Sequence, residues 1–179
     1  MSVRKVITAP NPILTKKTQK VRDINSDVKK IAKDLLDTVR VAKDPEGAGL
    51  SATQIGISKR MCVVRNFFED PLNPDEVSSD DVVLINPKII QYSEEKNVDW
   101  EGCLSVPDAY GLVERAEKIK ITAKDIDGNI IKIKAEGFFA RTIQHEVDHL
   151  DGILFTSKIE GKTLTQKEFD KIMEKQNIL

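Results

Sequence analysis

Residues 137–150 read GFFARTIQHEVDHL, and the way this stretch is used decides the fold. Phe138, Phe139 and Ile143 give it apolar anchors, so a helix over about 137–150, stopped near Asp151-Gly152, is expected to pack among strands rather than lie on the surface. Both histidines of the chain fall inside it, as His145-Glu146-Val147-Asp148-His149. Residues four apart on a helix sit about 40° apart around the axis and roughly one turn along it, so both imidazoles can reach one metal ion. Glu146 then lies beside that metal. A carboxylate in that place can take a proton from metal-bound water and pass it on, which is why the H-E-x-x-H spacing recurs in metal-dependent hydrolases. A polar helix face with two histidines and two solvated acids, Glu146 and Asp148, would look the same in sequence. The surrounding chain must therefore supply a third ligand.

Working outward, Ile119, Ile121 and Ala123 alternate with lysines, Asp127-Gly128 turns the chain, and Ile131 and Ile133 alternate again, which predicts a hairpin with one wet face. Further strands are expected around Met61 to Arg65 and Val82 to Ile90, separated by the polar loop Asp70-Pro71-Leu72-Asn73-Pro74. Ser26 opens a helix whose Val28, Ile31, Leu35, Leu36 and Val39 keep one buried face. Thr165 to about Gln176 reads as an amphipathic helix with Phe169, Ile172 and Met173 on one side. Strands grouped ahead of a buried helix predict an α+β fold: antiparallel or mixed β-sheets packed around a central metal-binding helix, with a C-terminal helix. At 179 residues the chain is expected to be one domain, 1–179.

Candidates for the third ligand separate the chemistries. One protease class continues the motif as H-E-x-x-H-x-x-G-x-x-H; the chain follows it through Gly152 but has Phe155 where the last histidine belongs, which excludes that class. In another class a glutamate some way downstream completes the site, and Glu168 is a candidate. Thr165-Gln166-Lys167-Glu168, however, reads as a capping box, in which the glutamate reaches back to a backbone N–H. Cys103, in Glu101-Gly102-Cys103-Leu104-Ser105, suits better: a thiolate with two neutral imidazoles leaves a fourth position open, the mark of a catalytic rather than a structural site. The bland alternative is a small buried hydrophobe. A third segment, Gly47-Ala48-Gly49-Leu50-Ser51-Ala52-Thr53-Gln54-Ile55-Gly56, has small residues where backbone must pass close to something else and carries an amide donor, but lacks the ending of a phosphate-binding loop.

Together and in this order, Gly47 to Gln54, Glu101 to Ser105 and Gln144 to Gly152 resemble the three motifs of the peptide deformylase family, and the similarity extends from Ala9-Pro10-Asn11-Pro12-Ile13-Leu14 to Gly152-Ile153-Leu154-Phe155. The resemblance implies an enzyme that removes the formyl group from the N-terminal formylmethionine of newly made polypeptides and releases formate. Cys103, His145 and His149 would hold one divalent metal, most often Fe2+ in the family, with Zn2+, Ni2+ or Co2+ able to occupy the same site. Metal-bound hydroxide would be the nucleophile, Glu146 the general base and acid, and the Gln54 side chain and Leu104 backbone N–H the oxyanion donors. Gly47, Ala48, Gly49, Leu50, Gly102, Arg141 and Thr142 would line the substrate pocket.

Two positions depart from the family pattern. Ser51 replaces the usual alanine and adds a hydroxyl, tolerable if it finds a partner, because a buried unpaired one costs about 1–3 kcal/mol. Ala48 is smaller than the isoleucine or valine often found there, which would loosen the methionine pocket. Glu101 and Arg115 are expected to brace the Cys103 segment by an ion pair, the alternative being two separate surface charges. Asp148 and Asp151 are candidates to orient an imidazole from behind, or else helix-end charges.

Composition agrees with a small globular enzyme, 40% of residues being hydrophobic. No apolar run approaches the ~20 residues that span a bilayer, and neither a signal nor a transit peptide is seen, so a cytoplasmic place is expected. Cys62 reads as a strand core residue, and two cysteines suggest no disulfide framework. With 28 basic against 29 acidic side chains there is no global attraction to nucleic acid or membrane. The expected partners are N-formylmethionyl nascent chains. The resemblance also raises a transient ribosome contact through the C-terminal helix, where Lys167, Lys171 and Lys175 line up; Glu168, Asp170 and Glu174 cancel them, which reads instead as a solvated face. Two other readings stay open: a glutamate-ligand metalloprotease using Glu168, and a metal-stabilised binding module without catalysis.

Overall fold

The computed structural model describes residues 2–43, 46–70 and 73–175, with side chains described outside 70–76. Helix α1, Ser26–Val41, is capped by Asn25, whose side chain accepts from the Val28 N–H at 3.1 Å. Then come β1 (Gly49–Ser51), a 3-10 turn (Ala52–Ile55), β2 (Met61–Asp70), β3 (Asn73–Tyr92), β4 (Lys96–Cys103), β5 (Val106–Ala116), β6 (Lys118–Lys124), β7 (Ile130–Glu136), α2 (Gly137–Leu150), β8 (Ile159–Leu164) and α3 (Gln166–Lys175). The strands form two sheets in the orders β1-β2-β3-β6-β7 and β4-β5-β8. Every strand pair is antiparallel.

The five-stranded sheet is covered on both faces because side chains alternate along its strands. On β2, Met61 and Val63 belong to the core with α1, together with Val28, Ile31, Leu35 and Val39. Their neighbours Cys62 and Val64 point the other way, to a core with Ala140, Ile143, Val147 and Leu150 of α2. Helix α2 is therefore central, touching β1, β2, β3, β6 and β7 on one side and β5 of the smaller sheet on the other. Phe138 departs from the expected packing: it is 57% exposed and its ring meets Phe67 at 6.3 Å, at the rim of a cleft rather than in a sheet.

The β2–β3 hairpin is longer than its apolar segments suggest. Pairing continues outward from Met61↔Ile85 through Arg65↔Asp81 to Glu69↔Val77, and Arg65 Nε lies 3.2 Å from Asp81 Oδ1 across the ladder. Cross-strand polar pairs thus carry the strands beyond the core, leaving little of the expected proline loop, whose Pro71 and Leu72 lie outside the described residues. Strands β1, β4, β5 and β8 have no counterpart in the sequence reading. The first half of β4 is exposed on both faces, so alternation carries no signal there, and its extended state comes from pairing with β5, from Lys96↔Ala116 to Gly102↔Tyr110. Gln176, the expected end of the last helix, is also outside the described residues.

Candidate active site

Two edges meet at α2. Strand β4 ends in Cys103 and α2 carries His145 and His149 one turn apart. The Cys103 sulfur lies 3.2 Å from His149 Nε2, and the three potential ligand atoms lie within 4.8 Å of one another. All three side chains are shielded, His149 and Cys103 being buried and His145 nearly so.

The electrostatics suit a cation at that point. Burial pulls the His145 ring towards neutrality, but Cys103 and Glu101 beside it more than offset this and hold it well above its ordinary range. Burial keeps His149 well below its ordinary range, leaving a neutral imidazole of the kind metals require. Its Nδ1 has no hydrogen-bond partner among the described residues. One thiol and two imidazoles form a donor set that suits several first-row divalent ions, so the residues present fit a metal.

Glu146 is the neighbour of His145 and is 3% exposed. Burial pushes its carboxyl up to about 7, against the pull of His145. Its Oε2 has no partner among the described residues, an expensive state unless something else in the cleft satisfies it. Gly49 makes room for it: a Cβ built on Gly49 would stand 2.6 Å from Glu146 Oε1, so only glycine lets β1 pass this close.

Gln54 stands on the 3-10 turn after β1. Its Oε1 accepts from the Ser51 backbone N–H at 2.8 Å and from the Ser51 hydroxyl at 3.0 Å. Because a backbone N–H can only donate, the amide is oriented: Nε2 must face away from Ser51, and it lies 3.7 Å from the Cys103 sulfur. The Ser51 hydroxyl, which donates to Gln54 and is paired also with Thr53 Oγ1 at 2.9 Å, has the partners its burial requires.

Glu101 is the junction behind the cluster. One oxygen is 2.9 Å from Arg115 Nε and 2.8 Å from Arg141 Nη1; the other is 2.9 Å from Arg115 Nη2 and 2.9 Å from His145 Nδ1. Burial pushes this carboxyl up, but Arg115 and His145 outweigh it and hold it well below the usual carboxylate range. The Glu101 contact at Nδ1 leaves Nε2 of that ring as the nitrogen available to the Cys103 cluster. Arg115 also pairs with Asp148, which binds Lys158 at 2.7 Å, while Asp151 takes Arg60 at 2.8 Å. Their recorded partners are cations, and it is Glu101 that backs an imidazole.

A cleft of about 450 Å³ opens in front of these groups. Gly47, Ala48, Gly49, Gln54, Glu101, Gly102, Cys103, Leu104, Arg141, Thr142, His145 and Glu146 all line it. Leu50 does not: alternation on β1 turns its side chain into the core under α1, where it is wholly buried. Arg141 contributes to the wall, but its guanidinium is committed to Glu101, Val113 O and Asn97 O, and the Thr142 hydroxyl donates to Phe138 O. Trp100, Tyr110, Phe138 and Phe169 also line the cleft; the sequence marked Phe138 and Phe169 only as apolar helix positions and did not single out Trp100 or Tyr110. The bridging role of Arg141 was legible in principle, since it precedes His145 by one helical turn on the same face.

Glu168 is elsewhere. Its carboxylate accepts from the Thr165 N–H at 2.8 Å and hydroxyl at 2.7 Å, as the capping box requires.

Comparison with known proteins agrees with this arrangement. The family model described as polypeptide deformylase matches residues 3–165. A peptide deformylase of Dictyoglomus thermophilum is 43% identical over 166 residues, covering 93% of this chain and 99% of the relative; one of Thermomicrobium roseum is 41% identical over 167 residues, covering 91% and 89%. Among solved structures, the Met-Ala-Ser-bound class I type b peptide deformylase of Acinetobacter baumannii superimposes with a TM-score of 0.77 at 36% identity, covering 89% of this chain and all of that one. The actinonin complex of the Synechococcus elongatus peptide deformylase superimposes at 0.78 and 31% identity, covering 99% of this chain and 87% of that one. With the family match spanning nearly the whole chain and relatives of this similarity, the chain belongs to the polypeptide deformylase family, whose members are metal-dependent hydrolases.

Proposed function

We propose that the chain hydrolyses the N-terminal formyl group of formylmethionyl polypeptides, with Cys103, His145 and His149 holding one divalent metal and Glu146 handling the proton. The observation that carries this reading is the Glu146 carboxylate, with its unpartnered buried oxygen, lining the same cleft as two of the three clustered ligand residues. A metal bound there supplies a Lewis acid that brings the pKa of water down to ~7, so a nucleophile is available at neutral pH. Glu146 takes up the proton released when water attacks the formyl carbon and delivers it to the departing amine. Burial raises its carboxyl in the absence of the ion, which favours the protonated form that returns the proton to the amine. Gln54 Nε2, held by Ser51, and the Leu104 N–H are assigned to the carbonyl oxygen as charge develops on it. Glu101 fixes the His145 ring, and formate and a methionyl polypeptide leave. The Met-Ala-Ser bound by the A. baumannii protein corresponds to such a product.

For the native ion we propose Fe2+; Zn2+, Ni2+ and Co2+ suit the same donors. The proposed substrates are nascent chains, and the proposed place of action is the cytoplasm. No helix among the described residues is long and apolar enough to cross a membrane. Any contact with the ribosome would use the outer face of α3, and deleting that helix should then abolish salt-sensitive co-sedimentation.

The direct test is formate release from formyl-Met-Ala-Ser by protein prepared anaerobically with ferrous iron. Release that stops on metal removal and returns on reloading is expected. Absence of release from folded, metal-loaded protein rejects the reading. Gly49→Ala is expected to keep the metal yet lower kcat by about 100-fold, because the new methyl displaces Glu146 and an ångström of misplacement has that scale of effect. Metal content together with steady-state kinetics checks it, an unchanged kcat being the contrary result.

A further inference from the structure

Helix α3 begins at Gln166, one residue after the family match ends, yet it is built into the cleft. It is anchored at its start by the Gln166 N–H to Asp108 Oδ1 at 2.7 Å and by the Tyr110 hydroxyl on Gln166 Oε1. Met173 is buried and Ile172 half-buried further along, so the helix stays seated independently of any one side chain. Phe169, between these anchors, stacks on Tyr110 with ring centroids 4.3 Å apart and planes within 6°, and meets Trp100 in a T-shaped pair with centroids 5.5 Å apart.

The stack leads back to the metal cluster. Tyr110 lies against the bare backbone of Gly102, where a Cβ would stand 2.7 Å from its Cε1, and Gly102 precedes Cys103. Trp100, Tyr110 and Phe169 line the same cleft as Cys103, His145 and Glu146. Tyr110 is buried, but Trp100 and Phe169 are only half so, leaving aromatic surface open to the cleft.

We propose that α3 is a wall of the substrate cleft and that Phe169, with Trp100 and Tyr110, forms a subsite for an aromatic side chain on one of the two residues after formylmethionine. This rests on the deformylase reading above. With the formyl group at the metal cluster, an extended substrate advances ~3.3–3.6 Å per residue, so those residues run along the cleft away from the metal. An aromatic side chain arriving there covers the exposed surface of Trp100 and Phe169 and adds to an existing aromatic cluster, whereas alanine or serine leaves that surface wet. The opposing view is that the three rings only fasten α3 to β5, which would affect all substrates alike.

The test compares kcat/KM for formyl-Met-Phe-Ser and formyl-Met-Ala-Phe with that for formyl-Met-Ala-Ser, using the full-length, metal-loaded protein. At least one aromatic substrate is expected to be favoured about 3- to 10-fold, the range of one aromatic contact, and to be favoured through KM. Phe169→Leu keeps apolar bulk against Tyr110 and should bring that ratio to within about twofold of one. Lys171→Ala, on the exposed side of α3, should leave it unchanged. A parent ratio near one, or a high ratio that Phe169→Leu leaves intact, overturns the subsite. No formate from any of the three peptides would instead reject the deformylase reading itself.

Discussion

Glu146→Gln, loaded with the same metal as the parent, is expected to lose about 10²- to 10⁴-fold in kcat, the range attributed to a positioned general acid–base. The substitution keeps the volume and one carbonyl oxygen, so Gly49 and the cluster are undisturbed, but the amide can neither take up a proton nor return it to the amine. Metal stoichiometry should stay at the parent value, because Glu146 is not among the clustered ligand atoms. Fold stability of the metal-free variant should hold or rise, since the amide replaces a buried carboxyl whose charged form burial disfavours. Single-turnover formate release with parallel metal analysis tests this. A variant within tenfold of the parent would show that the proton travels by another group.

Glu101→Ala is expected to have the largest effect on stability. Glu101 accepts from Arg115 and Arg141, both buried, and from His145. Removing one partner of a buried pair costs about 3–5 kcal/mol, because the remaining charges keep their desolvation and lose their compensation. Arg115 retains Asp148, which places the effect towards the lower end of that range. His145 also loses the acceptor that orients its ring, and loss of such a contact typically weakens metal binding by 10- to 100-fold. Urea unfolding of the metal-free protein and competition with a chelator separate the two effects. A stability change below about 1 kcal/mol, the scale of an exposed pair, would mean that the junction contributes little.

The same junction sets a pH dependence. The native Glu101 carboxyl is held below its ordinary value of 4.5, so the stability it contributes is fully present above that pH and is lost as pH falls through the native range. The gap in unfolding free energy between the parent and Glu101→Gln should therefore narrow below about pH 4.5, and a gap that widened there would contradict the assignment.

Much of the frame was legible because it rests on local periodicity. The three-and-four spacing of Val28, Ile31, Leu35 and Val39 marked α1, and the alternation of Ile119, Ile121 and Ala123 marked β6, since each pattern repeats within the element itself. Thr165 and Glu168 announced the start of α3, while Glu168 stayed open as a metal ligand until the structure placed its carboxylate on Thr165. Phe138 misled because hydrophobicity alone does not distinguish a core anchor from a residue at the rim of a cleft. Leu50 misled in the opposite sense: the motif around it belongs to the site, but strand alternation sends its side chain to the other face.

The sequence by itself determined that His145 and His149 project from one face of a helix with Glu146 beside them, because four-residue spacing is a property of the helix wherever it lies. Only the tertiary structure decided what meets that face. Cys103 arrives on β4, whose outer half carries no pattern of its own and is held extended by β5. Glu101 becomes the junction of Arg115, Arg141 and His145 because strand pairing and helix packing bring residues up to 44 positions apart within hydrogen-bonding distance. Phe169 reaches the cleft because α3 is seated on β5 and β8. Local patterns record which face of an element is apolar; which elements then share that face follows from long-range burial and pairing, for which no short stretch of sequence carries the register.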